Sequence, residues 1–147
     1  LRSIFECALE SQQLRALMSV NCVCPYDFEN NRIYINYRKS SEEMLETCVH
    51  ELIHYYWFHK WNAMFKDQYS SSLVWIFSEI AIDALFFETP LKIYCVSQHP
   101  AHDHFYKESY KCQNLMEYFR KLYRDHSMAD FMRLGIEDVL ACNGILE

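Results

Sequence analysis

The chain reads as an α+β domain that is mainly α. Only 2 glycines and 3 prolines punctuate 147 residues, too few for a turn-rich β architecture. One tract alone, Cys22 to Tyr37, carries strand-like character. Elsewhere, serine-led capping patterns open long apolar stretches. A hydrophobic share of 51%, of which aromatics are a large part, suits a single compact domain over residues 1–147.

Each element follows from its local chemistry. Ser3-Ile-Phe-Glu6 has the form of a capping box and predicts a helix to about Met18. Arg32 to Tyr37 alternates apolar and polar residues, and Glu29-Asn30-Asn31 supplies a turn before it, so a small β-hairpin is expected. Ser40 to Glu43 is a second capping box, starting a helix to about Lys60, and residues 61–71 connect it to the next. Residues 72–87 form an almost wholly apolar helix, with serines at 70–72 to cap it and Thr89-Pro90 to stop it. Leu91 to Val96 fits either a short strand or an extended link. Tyr106 to Arg124 reads as a surface helix with Leu115, Phe119 and Leu122 inward. Ser127 caps a short helix that Gly135 ends, and a last turn or two covers 136–142.

Charge and cysteine usage exclude some functions. A net charge of −6, with no basic stripe interleaved with aromatics, argues against nucleic acid as a partner. No apolar run reaches the ~18 residues of a membrane span, and the opening residues carry no signal-peptide pattern. Seven cysteines, an odd number lying mostly in helical patterns, are expected to be reduced, as in a cytoplasmic protein. Cys22-Val23-Cys24 lacks the spacing and the partner pair of a structural zinc ribbon.

The chemistry is concentrated in His50-Glu51-Leu52-Ile53-His54, an H-E-x-x-H sequence inside a helix. Two imidazoles four residues apart share a face and can share a metal ion, and Glu51 then lies beside a bound water. Chance would produce the pattern in about 3 of every hundred chains of this composition, so its context decides its weight. On a helical wheel His54 falls about 40° from His50. Leu45, Cys48, Val49, Leu52, Ile53 and Tyr56 form a stripe on the far side, expected to face the core. The histidines are expected to face a second surface with Trp57 and Phe58, while His59, about 180° from His50, belongs to solvent.

The apolar helix over 72–87 embeds Glu79 and Asp83, again four apart. A buried carboxylate without a partner costs several kcal/mol, so these two require a cation, an Arg or Lys from elsewhere, or strong donors. A metal held by His50, His54 and Glu79 meets that need and leaves a fourth position open, as catalytic zinc sites do. Asp83, one turn on, is expected to accept a hydrogen bond from the outer nitrogen of a ligating histidine.

The H-E-L-I-H helix followed by Ser78-Glu79-Ile80-Ala81-Ile82-Asp83 resembles the gluzincin metallopeptidases of the thermolysin type, and in its brevity the minigluzincins. The resemblance covers roughly residues 30–88. It implies a minimal metallopeptidase domain: a β-hairpin and sheet edge, an active-site helix and a glutamate helix. It further implies one Zn²⁺ per chain on His50, His54 and Glu79, Glu51 as general base for the zinc-bound water, and a peptide or protein substrate. Ser78 departs from the Asn that many thermolysin-like enzymes have there. A metzincin is excluded, because no H-E-x-x-H-x-x-G-x-x-H continuation follows His54. By the same resemblance, Ile33 to Asn36 would offer the edge to which an extended peptide adds; an ordinary hairpin strand with its isoleucines on the core fits those residues equally. Larger gluzincins take an oxyanion donor from a downstream His or Tyr, and His99, His102, His104 and Tyr106 are the candidates here. Residues 127–147 are a candidate for a segment covering the cleft. Two other functions stay open: a catalytically silent module of this fold that binds a peptide or protein, and a structural metal or ion-pair site in a helical interaction protein.

Overall fold

A computed structural model describes residues 1–7, 14–21, 26–27 and 30–146. The elements in order are α1 (Arg2–Phe5), β1 (Arg15–Ser19), β2 (Tyr26–Asp27), β3 (Arg32–Asn36), α2 (Ser41–Phe65) and α3 (Ser71–Glu88). After two 3₁₀ turns, Pro90–Tyr94 and Asp103–Lys107, come β4 (Ser109–Tyr110), β5 (Gln113–Asn114), α4 (Leu115–Asp125) and α5 (Met128–Leu146). The architecture is α+β and mainly α. No helix among the described residues is long and apolar enough to cross a membrane.

The sheet has the order β1-β3-β2, with β1 parallel to β3 from Arg15↔Arg32 to Ser19↔Asn36, and β2 antiparallel to it at Tyr26↔Ile33 and Asp27↔Arg32. Alternation places Ile33 and Ile35 on the core, 3% and 4% exposed. The expected hairpin is therefore present, with Asn31 at φ 52° in its turn; Glu29 of that turn lies outside the described residues. The peptide-edge expectation narrows: β1 lies along one side of Ile33 to Asn36, and on the other side, among the described residues, β2 pairs only as far as Ile33. The helix expected from Ser3 to Met18 is α1 alone, which closes at Glu6 with φ 51°. Residues 8–13 lie outside the described residues, and Arg15–Ser19 is strand, because pairing with β3 overrides the helical preference of Ala16, Leu17 and Met18.

α2 starts as expected: Ser40 Oγ accepts from the Glu43 amide at 3.2 Å, and Glu43 Oε2 accepts from the Ser40 amide at 2.7 Å. It runs one turn beyond Lys60, because Trp61 and Phe65 continue its buried side. That side is Val49, Ile53, Trp57, Trp61 and Phe65, with Glu46 and His54 buried beside it. The expected core stripe is thus displaced: Leu45 is 48% exposed, and Cys48, Leu52 and Tyr56 are only half-buried. The bulky Trp57 and Trp61 bury more apolar area than Leu52 and Cys48 would, and they turn the helix so that the histidines lie at one end of the core face. His59 is exposed, as expected.

α3 is the central helix, capped by Ser70 and ended by Thr89, whose Oγ1 donates to the Leu85 carbonyl at 2.7 Å. Every residue from Phe77 to Phe86 is buried. Phe77 is the hub: its ring centroid lies 4.9 Å from Trp57, 5.4 Å from Phe131 and 5.8 Å from Phe119. Leu91 to Val96 is neither strand nor simple link at its start, since Pro90–Tyr94 winds as a 3₁₀ turn. α4 begins at Leu115, not Tyr106, after the Asp103–Lys107 turn and the β4–β5 hairpin; Leu115 and Phe119 are buried and Leu122 half-buried. α5 passes through Gly135 without a break. A Cβ there would stand 2.2 Å from Phe77 Cζ, so the glycine marks a close approach between helices, not a helix end.

Candidate metal centre

α2 and α3 pack with His50 and His54 facing Glu79. The imidazole centroids are 4.9 Å apart at 70°, and His54 also stacks on Phe58. His54 Nε2 lies 3.1 Å from Glu79 Oε1, with both side chains buried. One donor atom from each of His50, His54 and Glu79 falls within 4.8 Å of the others. Zinc bonds of about 2.0–2.2 Å set tetrahedral ligands roughly 3.3 Å apart, so small side-chain adjustments bring all three onto one ion. Two imidazoles and a carboxylate are the matching donor chemistry. The three expected ligands are therefore brought together.

The electrostatics favour the same use. Burial pushes the His50 imidazole down to about 4, and the charges of His54, His102 and Lys39 outweigh that of Glu79. His50 is thus neutral near pH 7, the form that binds metal. For Glu79, burial pushes upward, but the hydrogen bond from His54 and the histidine charges more than offset it and hold the carboxyl below its ordinary range. Among the described residues its ion-pair partners are the histidines 54 and 102; no Arg or Lys reaches it. Glu51 is half-buried, and burial first, then the Glu79 charge, pushes its carboxyl up to about 7 against His54 and Lys39. That suits a group that takes up a proton near neutrality.

Asp83 does not serve a histidine. It is fully buried, and its oxygens are taken by Arg120, with Nε at 2.6 Å and Nη2 at 2.8 Å, and by the Tyr106 hydroxyl, which donates at 2.7 Å. His54 Nδ1 is buried without a hydrogen-bond partner. The bidentate fork of Arg120 satisfies the buried carboxylate more completely than one imidazole N–H could. Ser78, where the family resemblance has Asn, is buried and returns its hydroxyl to the Trp75 carbonyl at 2.7 Å.

The oxyanion candidates separate. His99 is exposed, paired with Asp103 at 3.0 Å and stacked on Tyr106; His104 is exposed against Phe105. Tyr106 is committed to Asp83 while accepting from the Ala101 amide at 3.2 Å, and burial pushes its phenol far above the ordinary range. Only His102 reaches the centre, its Nε2 3.9 Å from Glu79 Oε2.

Two participants were not foreseen. Arg120 sits on α4 beside the inward Phe119, one turn before Arg124, and no local signal in the sequence singles it out. Glu46, one turn before His50 on the same face, is buried and accepts from the amides of Val96 at 2.7 Å and Ser97 at 3.0 Å, tying that segment to α2. Of the candidate covering segment 127–147, the described α5 packs into the core through Phe131, Met132, Ile136 and Val139, with Phe131 against Trp57 and Phe77. Cys22-Val23-Cys24 lies outside the described residues. Comparison with protein-family models, curated proteins and solved structures returns no match.

Proposed function

We propose that this chain is a zinc-dependent hydrolase of peptide bonds, a minimal gluzincin-type metallopeptidase, with His50, His54 and Glu79 as the ligands of one zinc ion. The observation that carries this reading is the convergence of His50 and His54 from one helix on the buried Glu79 carboxylate of another, which has no Arg or Lys partner among the described residues. Bound zinc would supply Lewis acidity and a water of lowered pKa. Glu51 is the general base in this reading, taking the water proton and delivering it to the leaving amine. Glu79 stays anionic, and His50 stays neutral, over the pH range where Glu51 exchanges a proton. The free thiols of Cys7, Cys95, Cys112 and Cys142 go with a reducing, cytoplasmic setting in the same reading.

A catalytically silent peptide-binding module is the second reading. One observation favours it: Tyr106 is occupied by Asp83, so His102 is the only downstream candidate near the centre. Elemental analysis of the wild type beside Glu79→Ala tests the metal. About one zinc per chain in the wild type, with a marked loss in the variant, is expected; a wild type that cannot be loaded refutes both readings. Hydrolysis of a fluorogenic peptide by the loaded protein, abolished in Glu51→Gln, then separates enzyme from silent module.

A further inference from the structure

Glu79 offers its two oxygens to two sides. Oε1 faces His54 at 3.1 Å from within the core, and Oε2 faces His102 at 3.9 Å from the loop side. A separation of 3.9 Å is too long for a hydrogen bond. It is about 0.6 Å beyond the spacing of two donors on one tetrahedral zinc. His102 also lies outside the group of donors within 4.8 Å of one another, so its ring must swing inward to bind. We infer that His102 is a displaceable fourth ligand of this centre, delivered to it by the Asp83–Tyr106–Ala101 hydrogen-bond chain. The inference rests on the reading of His50, His54 and Glu79 as a metal site.

Trp75, Glu79 and Asp83 are spaced four apart on α3, so one helix face presents all three. Asp83 is immobilised by Arg120 and receives the Tyr106 hydroxyl; that same oxygen accepts from the Ala101 amide, the residue before His102. On the other flank, the amide of buried Phe105 donates to the His102 carbonyl at 3.1 Å. The backbone before His102 is thus tied to the helix that carries Glu79, and the backbone after it is closed in a 3₁₀ turn on a buried phenylalanine. The imidazole itself is not tied. Its side chain is 52% exposed, and its ring lies 5.4 Å from the half-exposed ring of Trp75, one turn before Glu79. That single position places it beside both Glu79 and Trp75, with no side-chain hydrogen bond among the described residues to hold it there.

This arrangement gives the centre two states of different chemistry. With His102 engaged, four protein donors close the coordination, as in structural zinc sites; with His102 against Trp75, three remain and a position opens, as in catalytic ones. His50 and His54 are fixed in a helix, so the loop-borne ligand is the one that leaves. Tyr106 acts as a positioning residue, touching neither metal nor substrate.

The test is X-ray absorption at the zinc edge, which counts coordinated imidazoles, together with zinc affinity by chelator competition, on the full chain. Three imidazoles are expected in the wild type and two in His102→Ala, with zinc affinity reduced by more than the ~10–100-fold of an outer-shell change. Tyr106→Phe is expected to retain zinc, weakened about tenfold, with an imidazole count falling towards two. A tyrosine with a merely structural role would lower thermal stability and leave the count at three. Two imidazoles in zinc-loaded wild type overturn the fourth ligand while the three-residue site stands. Three imidazoles in Tyr106→Phe overturn the positioning role alone. A wild type that binds no zinc overturns the metal site and this inference with it.

Discussion

At the scale of single residues, the buried Asp83 shows how a helix made almost wholly of core residues tolerates charge. Its carboxylate is fully buried, and the bidentate Arg120 and the Tyr106 hydroxyl satisfy it. Removing one partner of a buried pair leaves an uncompensated charge and costs about 3–5 kcal/mol. Arg120 is a quarter exposed and its guanidinium also covers the Phe87 ring at 4.0 Å, so Arg120→Met, which keeps the apolar stem, is expected to lose about 3 kcal/mol in urea unfolding. Adding Asp83→Asn should recover part of that loss, since an amide can still accept from Tyr106. A loss below about 1 kcal/mol in Arg120→Met would mean that the ion pair is not what keeps Asp83 buried. The need for compensation at Glu79 and Asp83 was readable from their apolar setting. The His54 partner of Glu79 was readable as well, but the partner of Asp83 was not: Arg120 lies 37 positions away, and nothing local distinguishes it from an imidazole as the donor.

At the scale of elements, the sequence signals that held are those whose cause is local. The Ser40–Glu43 capping box and the Ser70 cap depend on residues three apart, and both helices start where those residues predict. Apolar count predicts a different face of α2 from the one that packs, because ring size outweighs it and Trp57 and Trp61 decide which side is buried. Gly135 departs from its sequence pattern for a similar reason. A glycine between apolar residues reads as a helix end when its neighbour in space is unknown. The neighbour is Phe77, the ring on which Trp57, Phe119 and Phe131 also close. Gly135→Ala therefore sets two effects against each other. Alanine favours the helix by about 1 kcal/mol, but its Cβ would meet the Phe77 ring at 2.2 Å in a packed core, and overpacking costs about 1–3 kcal/mol. The clash is severe enough to win, and a lowered melting temperature is expected. An unchanged or raised one would show that the Phe77 ring can move aside.

At the scale of the whole molecule, α3 joins the layers: Phe77 faces α5, Asp83 faces α4, and Glu79 faces the histidines of α2. The β4–β5 hairpin is held to α5 by a separate device. Asp138 accepts from the Lys111 amine at 2.7 Å, the Tyr110 hydroxyl at 2.9 Å and the Tyr118 hydroxyl, while Lys111 turns the hairpin at φ 48°. This tie makes long-range assembly sensitive to acid in a definite direction. Burial pushes the Asp138 carboxyl upward, but the hydrogen bonds from Lys111, Tyr118 and Tyr110 outweigh it, so the folded carboxyl lies below its ordinary range. An unfolded Asp binds its proton near ~3.9, so the folded chain holds fewer protons than the unfolded one just below that pH. The stabilisation is then fully present above about pH 4 and is lost as pH falls through the folded value. Asp138→Asn removes the charge at every pH. Hydrogen bonds to a charged acceptor contribute about 1.5–3 kcal/mol when buried, and for this half-buried group about 1–2 kcal/mol is expected near neutrality. Urea titrations of both proteins between neutral and strongly acidic pH should therefore converge as acid protonates Asp138. If the gap stays constant across that range, the hairpin is held by the shape of the contact and not by its charge.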